Sequence, residues 1–183
     1  MALNVKILHW NINGSRAIYK KNIYDSKPFE AYITEQQADI ISFNETKICC
    51  KSMDTHSDIG KLFTSYTYKY HAHATKRGYS GVSVYSKIEP LRQIKTDIDD
   101  GEGRIIVLEF SKFILISVYL PNAGSKLGGL KYRTTDWDIK FLKLCEHLSK
   151  TKPLIIVGDM NVAHMDIDIN HPERHRQSAG FTD

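Results

Sequence analysis

Residues 153–164 read Pro-Leu-Ile-Ile-Val-Gly-Asp-Met-Asn-Val-Ala-His, and this stretch decides how the rest of the chain is interpreted. Residues 153–157 form a short, apolar and branched run bounded by proline and glycine, which predicts a strand buried on both faces. Asp159 and Asn161 follow on a predicted tight turn. Open α/β sheets bind ligands at the C-terminal ends of their strands, so this turn is a candidate site, although one Asp/Asn turn is equally often only structural.

The same pattern occurs three more times along the chain. Apolar segments at residues 3–10, 39–43 and 113–118 end in polar tips at residues 11–14, 44–47 and 119–124. If the four C-terminal ends share one rim, seven side chains converge on one pocket: Asn11, Asn13, Glu45, Tyr119, Asn122, Asp159 and Asn161. Such an oxygen-rich, sulfur-free set is typical of Mg²⁺, which keeps several of its own waters. Zinc is disfavoured because no Cys/His pairs have ligand spacing.

The composition indicates one globular domain rather than a disordered chain, with 183 residues, 42% hydrophobic and 25% charged. A net charge of +4 favours a phosphate-bearing partner only mildly. No apolar run approaches the roughly 18 residues of a membrane span, and the N-terminus does not resemble a signal peptide. We therefore expect an intracellular protein with no membrane partner. Cys49, Cys50 and Cys145 provide no disulfide framework; the adjacent pair is interpreted as ordinary thiols, with a redox pair as the alternative.

Hydrophobic patterning predicts more strands than helices. Further strands are predicted at residues 66–73, 82–85, 88–96 and 104–110, and helices at 26–37 and 132–150. Ser26 is the predicted N-cap of the first helix, and Trp137, Phe141, Leu144 and Leu148 form the core-facing stripe of the second. This order is not a strict βαβ alternation, so we expect two packed sheets with helices outside. After residue 164 no closing element is predicted.

Nine motifs, in this order, resemble the exonuclease III type of apurinic/apyrimidinic endonuclease, within the endonuclease/exonuclease/phosphatase superfamily. They lie at residues 10–14, 44–47, 78–82, 101–104, 119–124, 132–133, 158–164, 167–168 and 179–182. The resemblance implies an α/β (α+β) fold, a four-layer sandwich of two mixed β-sheets flanked by helices. It also implies Mg²⁺-dependent hydrolysis, with Mn²⁺ as a substitute ion, of double-stranded DNA 5′ to abasic sites in base excision repair. The nucleus is then the expected location in a eukaryote.

Carried over position by position, the resemblance assigns roles around the phosphate. Glu45 binds the metal with Asn13 nearby, Asp159 prepares the attacking water, and Asn161 and Asn11 orient groups around the phosphate. These roles agree with the chemistry, because in-line attack builds negative charge on oxygens and needs a cation and fixed hydrogen-bond donors.

Further residues are expected to contact DNA or to support the site. Tyr119 and Asn122 donate hydrogen bonds to phosphate oxygens, with a strand-end aromatic as the less favoured alternative for Tyr119. The residues expected to hold the DNA backbone are Arg16, Lys20, Gly78 and Tyr79, although a basic stretch such as residues 15–22 is more often a solvated helix face. His164 is interpreted as structural support for the Asp159 turn rather than as a catalyst, and Asp168 as a second supporting residue.

The chain departs from the family pattern in two ways. Family members carry an Asp-His segment at the scissile phosphate and a pocket for the flipped-out abasic sugar, whereas none of the eight histidines here directly follows an aspartate. Ser125 stands where some relatives have arginine. We therefore expect a fragment that lacks the C-terminal part of its second sheet, with little or no incision activity. It is expected to be a monomer whose open sheet edge favours association.

Two alternatives stay open from the sequence. One is another phosphodiesterase of the superfamily: a general nuclease, a retroelement endonuclease or an inositol-phosphate phosphatase. The other is a nucleic-acid-binding protein that has lost its catalytic activity, which would bind DNA with salt-sensitive affinity and no turnover.

Overall fold

The computed structural model describes residues 4–21, 23, 26–48, 63–98 and 101–182. Ten strands lie in these ranges: β1 (Ile7–Asn11), β2 (Ile40–Asn44), β3 (Tyr68–Ala72), β4 (Val82–Ser86), β5 (Arg92–Ile94), β6 (Ile105–Glu109), β7 (Ile114–Tyr119), β8 (Leu154–Asp159), β9 (Gln177–Ser178) and β10 (Phe181–Thr182). The helices are Ser15–Ile18, Phe29–Glu35, Leu130–Tyr132, Asp138–Ser149 and Pro172–His175, with a π-helical turn at Arg133–Trp137 and a 3₁₀ turn at Asp166–Asp168. None of these helices is long and apolar enough to cross a bilayer.

Eight strands form two mixed four-stranded sheets. The first has the order β1-β2-β4-β3 and the second β5-β6-β7-β8. Each sheet contains one parallel pair: β1 with β2, where Asn11 lies opposite Asn44, and β7 with β8, where Tyr119 lies opposite Asp159. Because parallel strands end at the same edge, each sheet presents two adjacent polar strand ends.

Three apolar layers hold the elements together and confirm the predicted four-layer sandwich. The helix Phe29–Glu35 covers the outer face of the first sheet with Phe29 and Ile33, each 1% exposed. Apolar side chains of both sheets fill the space between them. The predicted apolar stripe, including Trp137 and Leu148, lies on the helix Asp138–Ser149 and the turn before it and packs on the outer face of the second sheet. Both outer layers thus use the helical periodicity seen in the sequence.

The strand predicted at residues 153–157, which is β8, is not buried on both faces, so this prediction is wrong. Within the described residues β8 pairs only with β7 and lies at the edge of its sheet. Ile155 and Val157 face the core between the sheets, whereas Ile156 points the other way and is 40% exposed. A short apolar run shows that a strand is buried on at least one face, but it does not show whether the second face is covered.

Four other predictions need correction. The strand predicted at 88–96 is only Arg92–Ile94, because Pro90 has no N–H to donate to a ladder. The helix predicted at 26–37 is Phe29–Glu35, and its N-cap is Pro28 rather than Ser26, because the residue before a proline avoids helical backbone angles. The predicted helix 132–150 contains the π-helical turn. The antiparallel pair β9–β10 follows residue 164, where no element was predicted.

The π-helical turn has a local cause. Thr134 and Thr135 each donate a side-chain hydrogen bond to a carbonyl of the preceding turn, and the Thr135 bond to the Lys131 oxygen measures 2.7 Å. Such side-chain bonds compete with the backbone ladder of the helix. The predicted thiol pair Cys49–Cys50 lies outside the described residues.

Candidate active site

The strand ends of the two sheets meet at one rim. Asn11 and Asn44 end β1 and β2, and Tyr119 and Asp159 end β7 and β8. The backbone N–H of Asp159 donates to Oδ1 of the fully buried Asn44 at 2.8 Å, so a hydrogen bond joins the sheets at this rim. The rim is therefore a fixed junction between sheets.

One side-chain amide holds both carboxylates of the rim. Nδ2 of Asn11 donates to Oε1 of Glu45 at 3.0 Å and to Oδ2 of Asp159 at 2.8 Å. Oδ1 of Asn11 accepts the backbone N–H of Asn13 at 3.1 Å, which fixes the orientation of the amide. Two carboxylates from different sheets are thus kept within hydrogen-bond reach of one nitrogen atom.

Glu45 lies among several hydrogen-bond donors. Nζ of Lys47 is 3.1 Å from Oε2 of Glu45 and also donates to Oδ1 of Asn13. Partial burial alone raises the pKa of Glu45, but hydrogen bonds from Asn11, Lys47 and Tyr119, with the charge of Lys47, lower it below its ordinary value. Glu45 is consequently ionised at neutral pH.

Tyr119 faces Glu45 as a neutral phenol. Burial, reinforced by the charge and hydrogen bonding of Glu45, raises the pKa of Tyr119 to about 12. The guanidinium carbon of Arg104 lies 4.9 Å from the centre of the Tyr119 ring, and Nη1 of Arg104 donates to the Tyr119 carbonyl at 3.1 Å. Tyr119 is thus a hydrogen-bond donor held in place by a buried arginine.

The Asp159 turn is fixed by Asn161. The backbone N–H of Asn161 donates to Oδ1 of Asp159 at 2.9 Å, and its Nδ2 donates to the Leu120 carbonyl at 2.7 Å. Nδ2 of Asn122 donates to Oδ1 of Asn161 at 2.8 Å. Nη1 of the buried Arg133 donates to the Asn161 carbonyl at 3.0 Å. Both oxygens of Asp159 therefore accept a hydrogen bond, so the plane of its carboxylate is defined.

Several tip residues adopt left-handed backbone angles that only glycine adopts freely. The positive φ values are 47° at Asn13, 52° at Glu45, 54° at Lys47 and 49° at Asn161. Such backbone costs free energy and clusters at functional sites.

The seven side chains predicted to converge all belong to this hydrogen-bonded cluster. The predicted DNA-binding residues lie around it. Arg16 and Lys20 are exposed, and the chain before them is anchored by the Gly14 N–H, which donates to the Glu45 carbonyl at 2.7 Å. Tyr79 accepts a hydrogen bond from Nη2 of Arg104 at 3.2 Å, and its neighbour Gly78 has a φ of 74°.

A small cavity of about 310 Å³ connects Tyr79 and Asn122 along the surface beside the rim. A larger cavity of about 640 Å³ lies between β5 and the helix Asp138–Ser149, and none of the predicted site residues lines it. The larger cavity is therefore separate from the carboxylate cluster.

The two predicted supporting residues lie outside the hydrogen-bonded cluster. His164 is exposed and makes no hydrogen bond to the Asp159 turn in the described part of the chain. Oδ2 of Asp168 accepts the Met165 N–H at 2.9 Å and so stabilises its own 3₁₀ turn. The roles of these two residues stay predictions.

The sequence did not predict four residues that contact the cluster through hydrogen bonds or ion pairs. Asn44, Lys47 and Arg104 lie within the motifs quoted above, yet no sequence signal showed that their side chains turn toward the carboxylates. Arg133 also lies in a quoted motif; at 5% exposed it could have been singled out only from its contacts.

The donor set fits a hard divalent cation. The available ligands are carboxylate and amide oxygens, and no group of three or more His, Cys, Asp or Glu is gathered in the part of the chain that the structure describes. Mg²⁺ is commonly held by one or two carboxylates together with water and substrate phosphate. Nδ2 of Asn44 is buried with no hydrogen-bond partner among the described residues.

The chain is similar to known nucleases over nearly all of its length. Residues 8–182 match the model of the endonuclease/exonuclease/phosphatase family. The exodeoxyribonuclease of Bacillus subtilis is 38% identical over 98% of this chain and 67% of its own length. The DNA repair nuclease APEX1 of Danio rerio is 40% identical over 99% of this chain and 56% of its own.

Solved structures show the same fold. The AP endonuclease of Leishmania major superposes with a TM-score of 0.81 at 24% identity, covering 97% of this chain and 62% of that one. An AP endonuclease from Archaeoglobus fulgidus superposes with a TM-score of 0.68 at 22% identity, covering 98% of this chain and 66% of that one. This chain thus spans roughly half to two thirds of the length of these relatives.

Proposed function

Because this chain belongs to the endonuclease/exonuclease/phosphatase family, we propose that it takes part in Mg²⁺-dependent hydrolysis of DNA phosphodiesters on the 5′ side of abasic sites. The observation that carries the proposal is the Asn11 amide, which holds the carboxylates of Glu45 and Asp159 together across two sheets. Relatives named as a DNA repair nuclease and as a DNA-(apurinic or apyrimidinic site) endonuclease support the choice of substrate.

Glu45 and Asp159 have different parts in this reaction. Glu45, ionised and with Asn13 beside it, would hold the cation, which supplies a positive charge against the developing charge on the phosphate oxygens. Asp159 accepts the proton of the attacking water, and its carboxylate is oriented by the Asn11 amide and the Asn161 N–H.

The neutral groups of the rim stabilise the phosphate. Tyr119 keeps its proton at neutral pH and donates a hydrogen bond, and the amide of Asn122 lies beside Asn161 for a second one. Arg16, Lys20, Gly78 and Tyr79 contact the DNA backbone on either side of the reacting group without reading bases.

The test compares binding and cleavage of three substrates by the 183-residue chain. An end-labelled duplex with one abasic analogue, the same duplex without it and a soluble phosphoinositide are incubated with Mg²⁺ or EDTA. We expect salt-sensitive binding that favours the abasic duplex, and any cleavage to occur 5′ of the abasic site and only with Mg²⁺. The same experiment measures whether incision by these 183 residues is weak, which remains a prediction.

Matched variants assign the effect to the cluster. Glu45→Gln removes a cluster carboxylate, and Glu35→Gln removes an exposed one that pairs with Lys27 at 2.7 Å. We expect Mn²⁺ affinity, measured by electron paramagnetic resonance, to fall in the first variant and not in the second. Equal Mn²⁺ affinity in both variants, together with no preference for abasic DNA, would contradict the proposed function.

A further inference from the structure

A second polar layer lies beneath the carboxylate cluster. Nδ1 of His9 is 3.1 Å from Oγ of Ser42, and Oγ of Ser42 is 2.7 Å from Oγ of Ser117. The first hydrogen bond joins β1 to β2, where His9 and Ser42 are opposite each other in register. The second bond crosses from the first sheet to the second. Both serines are fully buried.

These three polar side chains lie on the same strands as residues of the carboxylate cluster. Each member lies two positions before a rim residue: His9 before Asn11, Ser42 before Asn44, and Ser117 before Tyr119. Side chains two residues apart on a strand share one face. The three hydrogen-bonded side chains therefore lie about 7 Å below the rim, in the same space between the sheets.

Stability alone does not explain these polar side chains. The next layer down, two positions earlier on the same strands, is apolar and consists of Ile7, Ile40 and Leu115. A buried hydroxyl must be hydrogen-bonded to avoid a cost of about 1–3 kcal/mol, and a well-packed apolar pair usually stabilises as much as a hydrogen-bonded pair. The polar groups therefore indicate a role in arranging the residues above them.

His9 is also electrostatically coupled to Asp159. Burial lowers the pKa of His9, and the Asp159 carboxylate and hydrogen bonding to Ser42 oppose this effect without reversing it. The imidazole is therefore uncharged at neutral pH, and it interacts electrostatically with the carboxylate that the proposed function assigns to the water.

We propose that His9 is a positioning residue for Asp159, acting through the Ser42–Ser117 hydrogen bond that fixes the two sheets directly below the rim. The imidazole fixes the Ser42 hydroxyl, which then holds Ser117 on the opposite sheet. This contact sets the separation over which the Asn11 amide spans Glu45 and Asp159. The catalytic consequence rests on the proposed function, whereas the positioning itself does not.

The test uses a variant, a conservative rescue and a matched control. His9→Leu removes the ring nitrogens, and His9→Asn returns a polar atom near the position of Nδ1. His71→Leu is the control, because Nδ1 of His71 makes the same type of bond to Ser83 Oγ at 2.8 Å between β3 and β4 of the same sheet. Two quantities are measured at neutral pH: the amide resonance of Asn161, whose N–H donates to Asp159, and the dissociation constant for Mn²⁺.

We expect His9→Leu to shift the Asn161 amide resonance and to weaken Mn²⁺ binding about tenfold, as the loss of residues that orient metal ligands commonly does. His9→Asn should reverse most of both effects. His71→Leu should lower the denaturation midpoint but change neither quantity. If His9→Leu does not fold, Ser117→Ala removes the bond between the sheets with little change in volume and should act in the same direction.

An unchanged Asn161 resonance in both His9→Leu and Ser117→Ala, or equal changes in His9→Leu and His71→Leu, would overturn the positioning role. Failure of the proposed function gives a different result. In that case the wild-type chain binds no Mn²⁺, while the Asn161 resonance, recorded without metal, still reports whether His9 orients Asp159.

Discussion

Replacing Asn11 by aspartate tests directly whether one amide holds the two carboxylates together. Its Nδ2 lies 2.8 Å from Asp159 Oδ2 and 3.0 Å from Glu45 Oε1, so Asn11→Asp puts an anionic oxygen where a donor was. Two unit charges 4 Å apart repel by about 4 kcal/mol at an effective dielectric constant near 20. The Glu45 side chain is 21% exposed, so solvent screens part of this repulsion and we expect a net loss of about 3 kcal/mol in the free energy of unfolding.

Asn11→Ala separates repulsion from the loss of hydrogen bonds. Hydrogen bonds to charged groups contribute about 1.5–3 kcal/mol each, and solvent access to this rim reduces the sum to about 2 kcal/mol. The two variants should also differ in their response to pH. Three carboxylates at one site raise the pKa of one of them, so the folded state of Asn11→Asp binds more protons than the unfolded state. Its stability should therefore recover toward that of Asn11→Ala as the pH is lowered.

Urea unfolding followed by tryptophan fluorescence measures these differences at low ionic strength, at neutral and mildly acidic pH, with and without Mn²⁺. Mn²⁺ should stabilise Asn11→Asp more than the wild type, because an ion that binds only the folded state adds to its stability. The exposed Asn170 provides the control variant Asn170→Asp. If Asn11→Asp is as stable as Asn11→Ala at neutral pH, the shared-amide geometry is wrong.

Three further changes test other parts of the structure. Because the pKa of Glu45 is lowered in the folded state, its ionisation stabilises the fold above pH 4.5, and this stabilisation is lost as the pH falls below that value. Glu45→Gln should therefore flatten the acid side of a curve of stability against pH. An unchanged slope would contradict this. In Gly180→Ala the new Cβ lies 2.3 Å from the Asn161 carbonyl oxygen. We therefore expect the free energy of unfolding in urea to fall by about 1–3 kcal/mol and the Asn161 amide resonance to shift. Wild-type values for both would exclude the contact. Ile156→Lys should change the free energy of unfolding by less than about 0.5 kcal/mol, because the Ile156 side chain is already 40% exposed. Ile155→Lys should destabilise the fold strongly, because Ile155 faces the core between the sheets. Similar thermal midpoints for the two variants would show that β8 is oriented differently.

Local pattern was sufficient to predict the elements that determine the architecture. The apolar runs before residues 11, 44, 119 and 159 each became a strand, and the helical stripe from Trp137 to Leu148 covers the second sheet, because period and length are properties of short segments. The polar residues at the strand ends could be predicted to meet, since parallel neighbours end on the same edge.

Properties that depend on distant parts of the chain could not be predicted in this way. Whether the outer face of β8 is covered depends on which element packs over that face of the sheet. The burial of Asn44 depends on the opposite sheet, where the Asp159 N–H meets its side chain. The sequence also does not show that Lys47 pairs with Glu45 rather than pointing to solvent, because backbone angles at the tip decide its direction.

Each sheet comes from one continuous half of the chain, the first from residues 7–86 and the second from residues 92–159. Glu45 therefore belongs to the N-terminal half and Asp159 to the C-terminal half, and neither half alone contains both carboxylates. During synthesis on the ribosome the pair cannot assemble until β8 has been translated, so a cation held by both carboxylates binds only late in folding. Under the proposed function, cation affinity therefore also measures how completely the two halves have docked.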